Sequence, residues 1–190
     1  MRGSRALIPV SSALVLAAGC GTSSEGDAGS VDAVESGTAL AEQAPSGFDP
    51  CTDIPKSVLD SERLRVASLP NSADYNGGGG IKWRGCRWVV PDSYAAGITT
   101  TNLTVERVRA NPKLTIRDEY VIDGRQAIAT NVATRSNPRS TCTLNVEMRG
   151  GSLEFSLDNP DSRRETGHMD TCVLAQRLAE KVVPLIPHDA

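Results

Sequence analysis

Residues 142–157 read CTLNVEMRGGSLEFSL, and the alternation in this stretch decides the fold. Cys142, Leu144, Val146 and Met148 occupy every second position, and so do Leu153, Phe155 and Leu157 beyond Gly150-Gly151. Successive side chains of an extended strand point to opposite faces, so a period of two marks two strands that each bury one face. The glycine pair supplies a turn between them, and the whole stretch predicts a β-hairpin.

Toward the N-terminus the same pattern returns. Leu114–Ile122 and Gln126–Thr134 flank Asp123-Gly124, a second hairpin signal. Gly85–Val90, GCRWVV, is β-prone and places Cys86 and Trp88 on one face. Thr99–Val108 alternates in part, with Leu103, Val105 and Val108 inward. Toward the C-terminus the period changes. Leu174, Leu178, Val182 and Leu185 recur at three and four residues beside Val173, behind a cap at Asp170 or Thr171. Pro184 and Pro187 end that helix. At the front of the domain, Asp49 caps an expected helix with Pro50 at its first position, and Ile54, Val58, Leu59 and Leu64 form its apolar side. The expected class is α+β: an antiparallel sheet packed against N- and C-terminal helices across residues 48–190.

Five cysteines bear on how this domain is held. Cys20 ends an apolar run and is set apart below. Cys51, Cys86, Cys142 and Cys172 remain, and an even number in an exported chain reads as two disulfides. Of the three possible pairings, Cys51–Cys86 and Cys142–Cys172 each join an end helix to a neighbouring strand. Zinc is disfavoured, because structural zinc sites use short paired spacings such as C-x2-C and the gaps here are 35, 56 and 30 residues. No metal and no cofactor is expected.

The front of the chain gives the location. Arg2 and Arg5 precede Ala6–Ala18, which is apolar except for Ser11 and Ser12. That run is shorter than the roughly 20 apolar residues of a spanning helix and fits a secretory leader over residues 1–19. It ends Leu16-Ala17-Ala18-Gly19-Cys20, which resembles a bacterial lipobox, with Ala17 where Leu, Val or Ile is commoner. Cys20 is then the lipidated residue. Residues 20–47 follow as a disordered acidic tether: Glu25, Asp27, Asp32, Glu35 and Glu42 lie in it without a single Lys or Arg. From Phe48 onward 18 basic residues face 18 acidic ones, so no basic surplus suits the chain to nucleic acid.

No catalytic set stands out. His168 and Asp170 lie together before the last helix, but no Gly-x-Ser-x-Gly elbow accompanies them, and His168 reads as a surface residue. No acidic pair is singled out for glycoside hydrolysis, and Asp118-Glu119 reads as an exposed strand start. The run PNSADYNGGGG, Pro70–Gly80, reads as a long mobile connection. Its glycines lack the Gly-Lys-Ser/Thr ending of a phosphate-binding loop. Arg163-Arg164 reads as a solvated loop. Of the two indoles, Trp88 is assigned to the core beside Cys86. Trp83, next to the glycines, is placed there too, with an exposed binding aromatic as the other reading.

Phe48-Asp49-Pro50-Cys51, Cys86-x-Trp88, Gly124 with Ala127, and the later Cys142 and Cys172 form an ordered set. Over residues 48–187 that set resembles a family of actinobacterial lipoproteins whose domain has no assigned function. The resemblance implies envelope attachment and no established activity. The functional expectation is an exported protein, lipid-anchored to the outer face of the cell membrane. It is expected to be a non-catalytic binding or accessory module for an unknown protein or envelope ligand. A carrier of lipid or another small apolar ligand, and an envelope hydrolase with an unrecognised site, are the competing readings.

Overall fold

In chain order the strands are β1 (Arg65–Val66), β2 (Tyr75–Asn76), β3 (Lys82–Val89), β4 (Ala95–Thr101), β5 (Leu114–Ile122), β6 (Arg125–Val132), β7 (Thr141–Met148) and β8 (Gly151–Asp158). The helices are α1 (Lys56–Ser61), α2 (Val105–Arg109) and α3 (Thr171–Val182). These come from a computed structural model that describes residues 40–67 and 71–190. The expected leader over 1–19, the lipidation residue Cys20 and the tether as far as residue 39 lie outside the described residues.

All eight strands join one antiparallel sheet in the order β1-β3-β4-β8-β7-β6-β5, with β2 also paired to β3. The opening hairpin is β7 and β8, with Leu144 opposite Phe155 and Val146 opposite Leu153. It lies inside the sheet, between β4 and β6. Asp123 and Gly124 close the β5–β6 hairpin with φ of 50° and 77°, the paired left-handed conformation of a two-residue turn.

One face of the sheet carries the main core. Cys86, Trp88, Ile98, Leu144, Val146, Leu153, Phe155 and Leu157 are buried there, against Leu174, Ala175, Leu178, Ala179 and Val182 of α3. Asp170 caps α3 by accepting from the Cys172 backbone N–H at 2.9 Å. Val173, on the other side of that helix, is 40% exposed. Two disulfides fasten this face: Cys51–Cys86, with Cα atoms 5.3 Å apart, and Cys142–Cys172, at 5.1 Å.

The expected α+β class, with a helix at each end, is corrected by this arrangement. The protein is mostly an antiparallel sheet with one short C-terminal helix, and the N-terminal helix from Asp49 does not form. Asp49 turns its side chain onto the Cys51 N–H at 2.9 Å, and the Asp49 N–H donates to Asp53. That closes a tight turn. Pro55 lacks the N–H a continuing helix needs, so helical geometry restarts only at Lys56 and lasts six residues, none of them buried. Cys51 therefore reaches Cys86 from a turn.

Three further expectations are revised. The strand expected over Thr99–Val108 ends at Thr101. The Thr104 hydroxyl then accepts from the Arg107 N–H at 3.3 Å, which starts α2 and turns Val105 and Val108 onto Ile128. In the Pro70–Gly80 run, expected as a mobile connection, the described residues 71–80 contain β2 and are tied down. Gly77 N–H donates to Ile81 O at 2.8 Å, and Asn102 Nδ2 donates to Gly80 O at 2.9 Å. Residues 40–47, assigned to the tether on composition, lie against the domain. Asn102 Nδ2 donates to Ala41 O at 2.7 Å and Lys82 Nζ to Gln43 Oε1 at 3.1 Å.

Candidate functional site

The register that turns Cys142, Leu144, Leu153 and Phe155 toward α3 turns their neighbours the other way. Across the opposite face, Gly85, Thr99, Glu154 and Asn145 stand in one row over β3, β4, β8 and β7. Arg87, Gly97, Ser156 and Thr143 form the next row, and Val89, Ala95, Asp158 and Thr141 a third. α2 covers this face only around Ile128. The remainder is a groove of about 670 Å³. Its floor consists of small residues. Gly97 carries no side chain there, with Ala95, Thr99, Thr143 and Ser156 around it. Beyond the groove, a Cβ on Gly85 would stand 2.1 Å from Ile98 O, so β3 and β4 approach more closely there than any other residue permits.

The walls are larger. Trp83 and Tyr75 stand together with ring centroids 5.6 Å apart and planes inclined by 34°. Gly77 packs on the Trp83 ring, where an added Cβ would come within 2.7 Å. Arg87 and Arg135 line the groove too, both exposed.

Glu154 is the centre. Its Oε2 accepts from Trp83 Nε1 at 3.1 Å and from Asn145 Nδ2 at 3.2 Å. Asn145 also donates to Ser152 Oγ at 3.0 Å, and Ser152 donates to Leu103 O at 2.7 Å, so the carboxylate ends an ordered chain of neutral groups. Burial pushes the Glu154 carboxyl above its ordinary pKa, and the hydrogen bonds from Trp83 and Asn145 oppose that rise. No arginine or lysine pairs with Glu154 among the described residues.

The residues singled out from sequence are distributed elsewhere. Trp88 is 2% exposed in the core, its indole N–H without an acceptor among the described residues. Trp83, placed in the core on balance, stands half-buried on the open face. His168 is exposed and lends only its carbonyl, to Arg139 at 3.0 Å. Asp170 is the cap of α3, held by Arg117 at 2.7 Å. Arg164 pairs with Asp92, and Glu119 with Arg109 at 3.1 Å. Cys20 lies outside the described residues. Among those residues, no three His, Cys, Asp or Glu side chains are placed to hold a metal ion.

Glu154, Asn145, Thr143 and Ser156 were not singled out, yet they occupy the alternate positions of the very hairpin that decides the fold. Their signal was the uniformly polar second face of that hairpin. Fold and site define a small antiparallel β-sheet domain, closed by a helix on one face and grooved on the other. The chain belongs to the family described as Protein of unknown function (DUF3558), whose model matches residues 15–185. No curated protein and no solved structure matches it.

Proposed function

We propose that the protein is a non-catalytic binding module, exported and lipid-anchored through Cys20 to the outer face of the cell membrane, with the open-face groove as its recognition surface. The apolar run ending at Cys20 supports the anchor, and disulfides belong to oxidising compartments outside the cytoplasm. One observation carries the binding reading: an ordered polar floor on a sheet face that the core does not use. Its polar groups are hydroxyls, an amide, the Asp158 carboxylate, the Arg87 and Arg135 guanidinium groups at its walls, and the Glu154 carboxylate already fixed by two neutral donors. That arrangement holds a ligand by hydrogen bonds and offers no nucleophile with a base beside it. A lipid carrier needs an apolar interior, whereas the layer between sheet and α3 is filled by Phe155, Leu153, Leu144 and Leu178, all 0% exposed.

A photo-crosslinking residue at position 87 on the groove, compared with one at position 180 on the exposed side of α3, tests this in intact cells. Adducts, protein or glycan, are expected at position 87 well above those at 180. Equal or greater capture at 180 would remove the groove as the recognition surface.

A further inference from the structure

We infer that the groove takes a neutral, hydroxyl-rich ligand, a short oligosaccharide, with Trp83 as its stacking platform and Glu154 as its central hydrogen-bond acceptor. This rests on the groove being the recognition surface and adds the chemical class of what it recognises.

The argument begins with what the groove leaves unpaired. Glu154 uses Oε2 for both of its hydrogen bonds, so Oε1 has no partner among the described residues. The hydroxyls of Thr99, Thr143 and Ser156 have none either. These four groups sit on three adjacent strands, in two neighbouring rows of the register. Strands lie about 4.8 Å apart and same-face residues of one strand about 6.6 Å apart, so the groups form a lattice on the scale of one sugar ring. A hydroxyl both donates and accepts, and a carboxylate only accepts. Polyols, whose every group can serve in either role, match that mixture.

Charge points the same way. Arg87 and Arg135 line the groove with Glu154 and Asp158, two groups of each sign, and none of the four is in an ion pair among the described residues. The formal balance is zero. An anion would meet the Glu154 carboxylate and a cation the two guanidinium groups, so a neutral ligand meets the least opposition. An indole fixed at its nitrogen by Glu154 and backed by Gly77 presents a rigid apolar face beside the polar lattice. That juxtaposition suits a pyranose, which has one apolar ring face and an equatorial belt of hydroxyls. The volume of about 670 Å³ lies within the range of roughly 300–1,000 Å³ for small-ligand sites.

The full chain, purified in a sugar-free detergent, is titrated with neutral oligosaccharides of two to six glucose, galactose, mannose, arabinose or N-acetylglucosamine units, and with uronic-acid and glucosamine oligomers as the charged comparison. Saturation-transfer NMR and tryptophan emission report binding. At least one oligosaccharide is expected to saturate and to change the emission of the groove indole. Glu154→Ala and Trp83→Leu are expected to weaken it about tenfold or more, the loss of a hydrogen bond to a charged group or of an aromatic platform. Gly97→Val is the steric control. Its Cβ meets only ordinary contacts, at 3.9 Å from Ser156, so the sheet is kept while the floor is filled and binding is lost. Failure of every oligosaccharide to bind, affinity unchanged in Gly97→Val, or a preference for charged sugars would each overturn the inference. If no oligosaccharide binds while position 87 still captures a protein in cells, the ligand class falls and the binding module stands. If neither occurs, both fall.

Discussion

Glu154 is a carboxylate that the fold holds at a cost. Its folded pKa is raised, so the folded chain holds the proton more tightly than the unfolded chain does. Stability then falls as pH rises from the ordinary carboxylate value of 4.5 through the raised folded value. Glu154→Gln keeps the shape and removes the ionisation. The thermal midpoint of the variant, measured against the wild type, is expected to improve as pH rises above 4.5 and then to level off once the folded group has ionised. A variant that loses ground as pH rises would show that desolvation is not the dominant influence on this group. Arg117 is a residue of the opposite kind, a charge that the fold uses fully. It donates to Asn131 Oδ1 at 2.6 Å, to Pro138 O at 2.6 Å and to Asp170 Oδ2 at 2.7 Å. Arg117→Met should cost about 1–3 kcal/mol in urea unfolding, because a half-buried Asp170 loses its partner. An unchanged midpoint would reduce the cluster to a surface pairing.

Among the elements, α3 and the β7–β8 hairpin depend on each other. Cys142–Cys172 joins them across a separation of 30 residues, and removing such a bridge typically costs about 2–5 kcal/mol. The double variant Cys142→Ala with Cys172→Ala is expected to lose stability in that range by chemical unfolding. A loss below about 1 kcal/mol would mean that packing alone seats the helix. These were also the elements most legible in the sequence. Strict alternation over 142–157 and the three-and-four spacing from Leu174 each bury one continuous face, so pattern and structure coincide. Legibility failed where tertiary contacts override a short local pattern. Ile54, Val58, Leu59 and Leu64 look like one helical side, but Pro55 divides them and a disulfide holds the preceding turn. Val105 and Val108 fit either period, and Thr104 decides for the helix by capping it. The groove was the least legible part. Its polar groups gather from three separate strands, and only the register brings Thr99 beside Glu154.

For the whole molecule, the helix and both disulfides share one face and leave the groove on the other. The proposed anchor is tested by Cys20→Ala, which is expected to release the protein from membranes or leave it as unprocessed precursor. A variant that stayed membrane-bound and still lost its first 19 residues would defeat the lipobox reading. The two sides of the sheet are also finished differently. At one side β3 is flanked by β1 and β2, while at the other β5 pairs, among the described residues, only with β6 and is kinked between Ile116 and Asp118. A straight outer strand is a template onto which another chain can add. The kink at Arg117, followed by Asp118 and Glu119, spoils the template with a broken hydrogen-bonding row and two like charges. Deleting Arg117 would restore an uninterrupted row, and sedimentation of that variant is expected to show chains pairing edge to edge through β5, where an unchanged monomer would remove the kink as a barrier. That outcome would make the residue that steadies the helix cap a guard against edge-to-edge association as well.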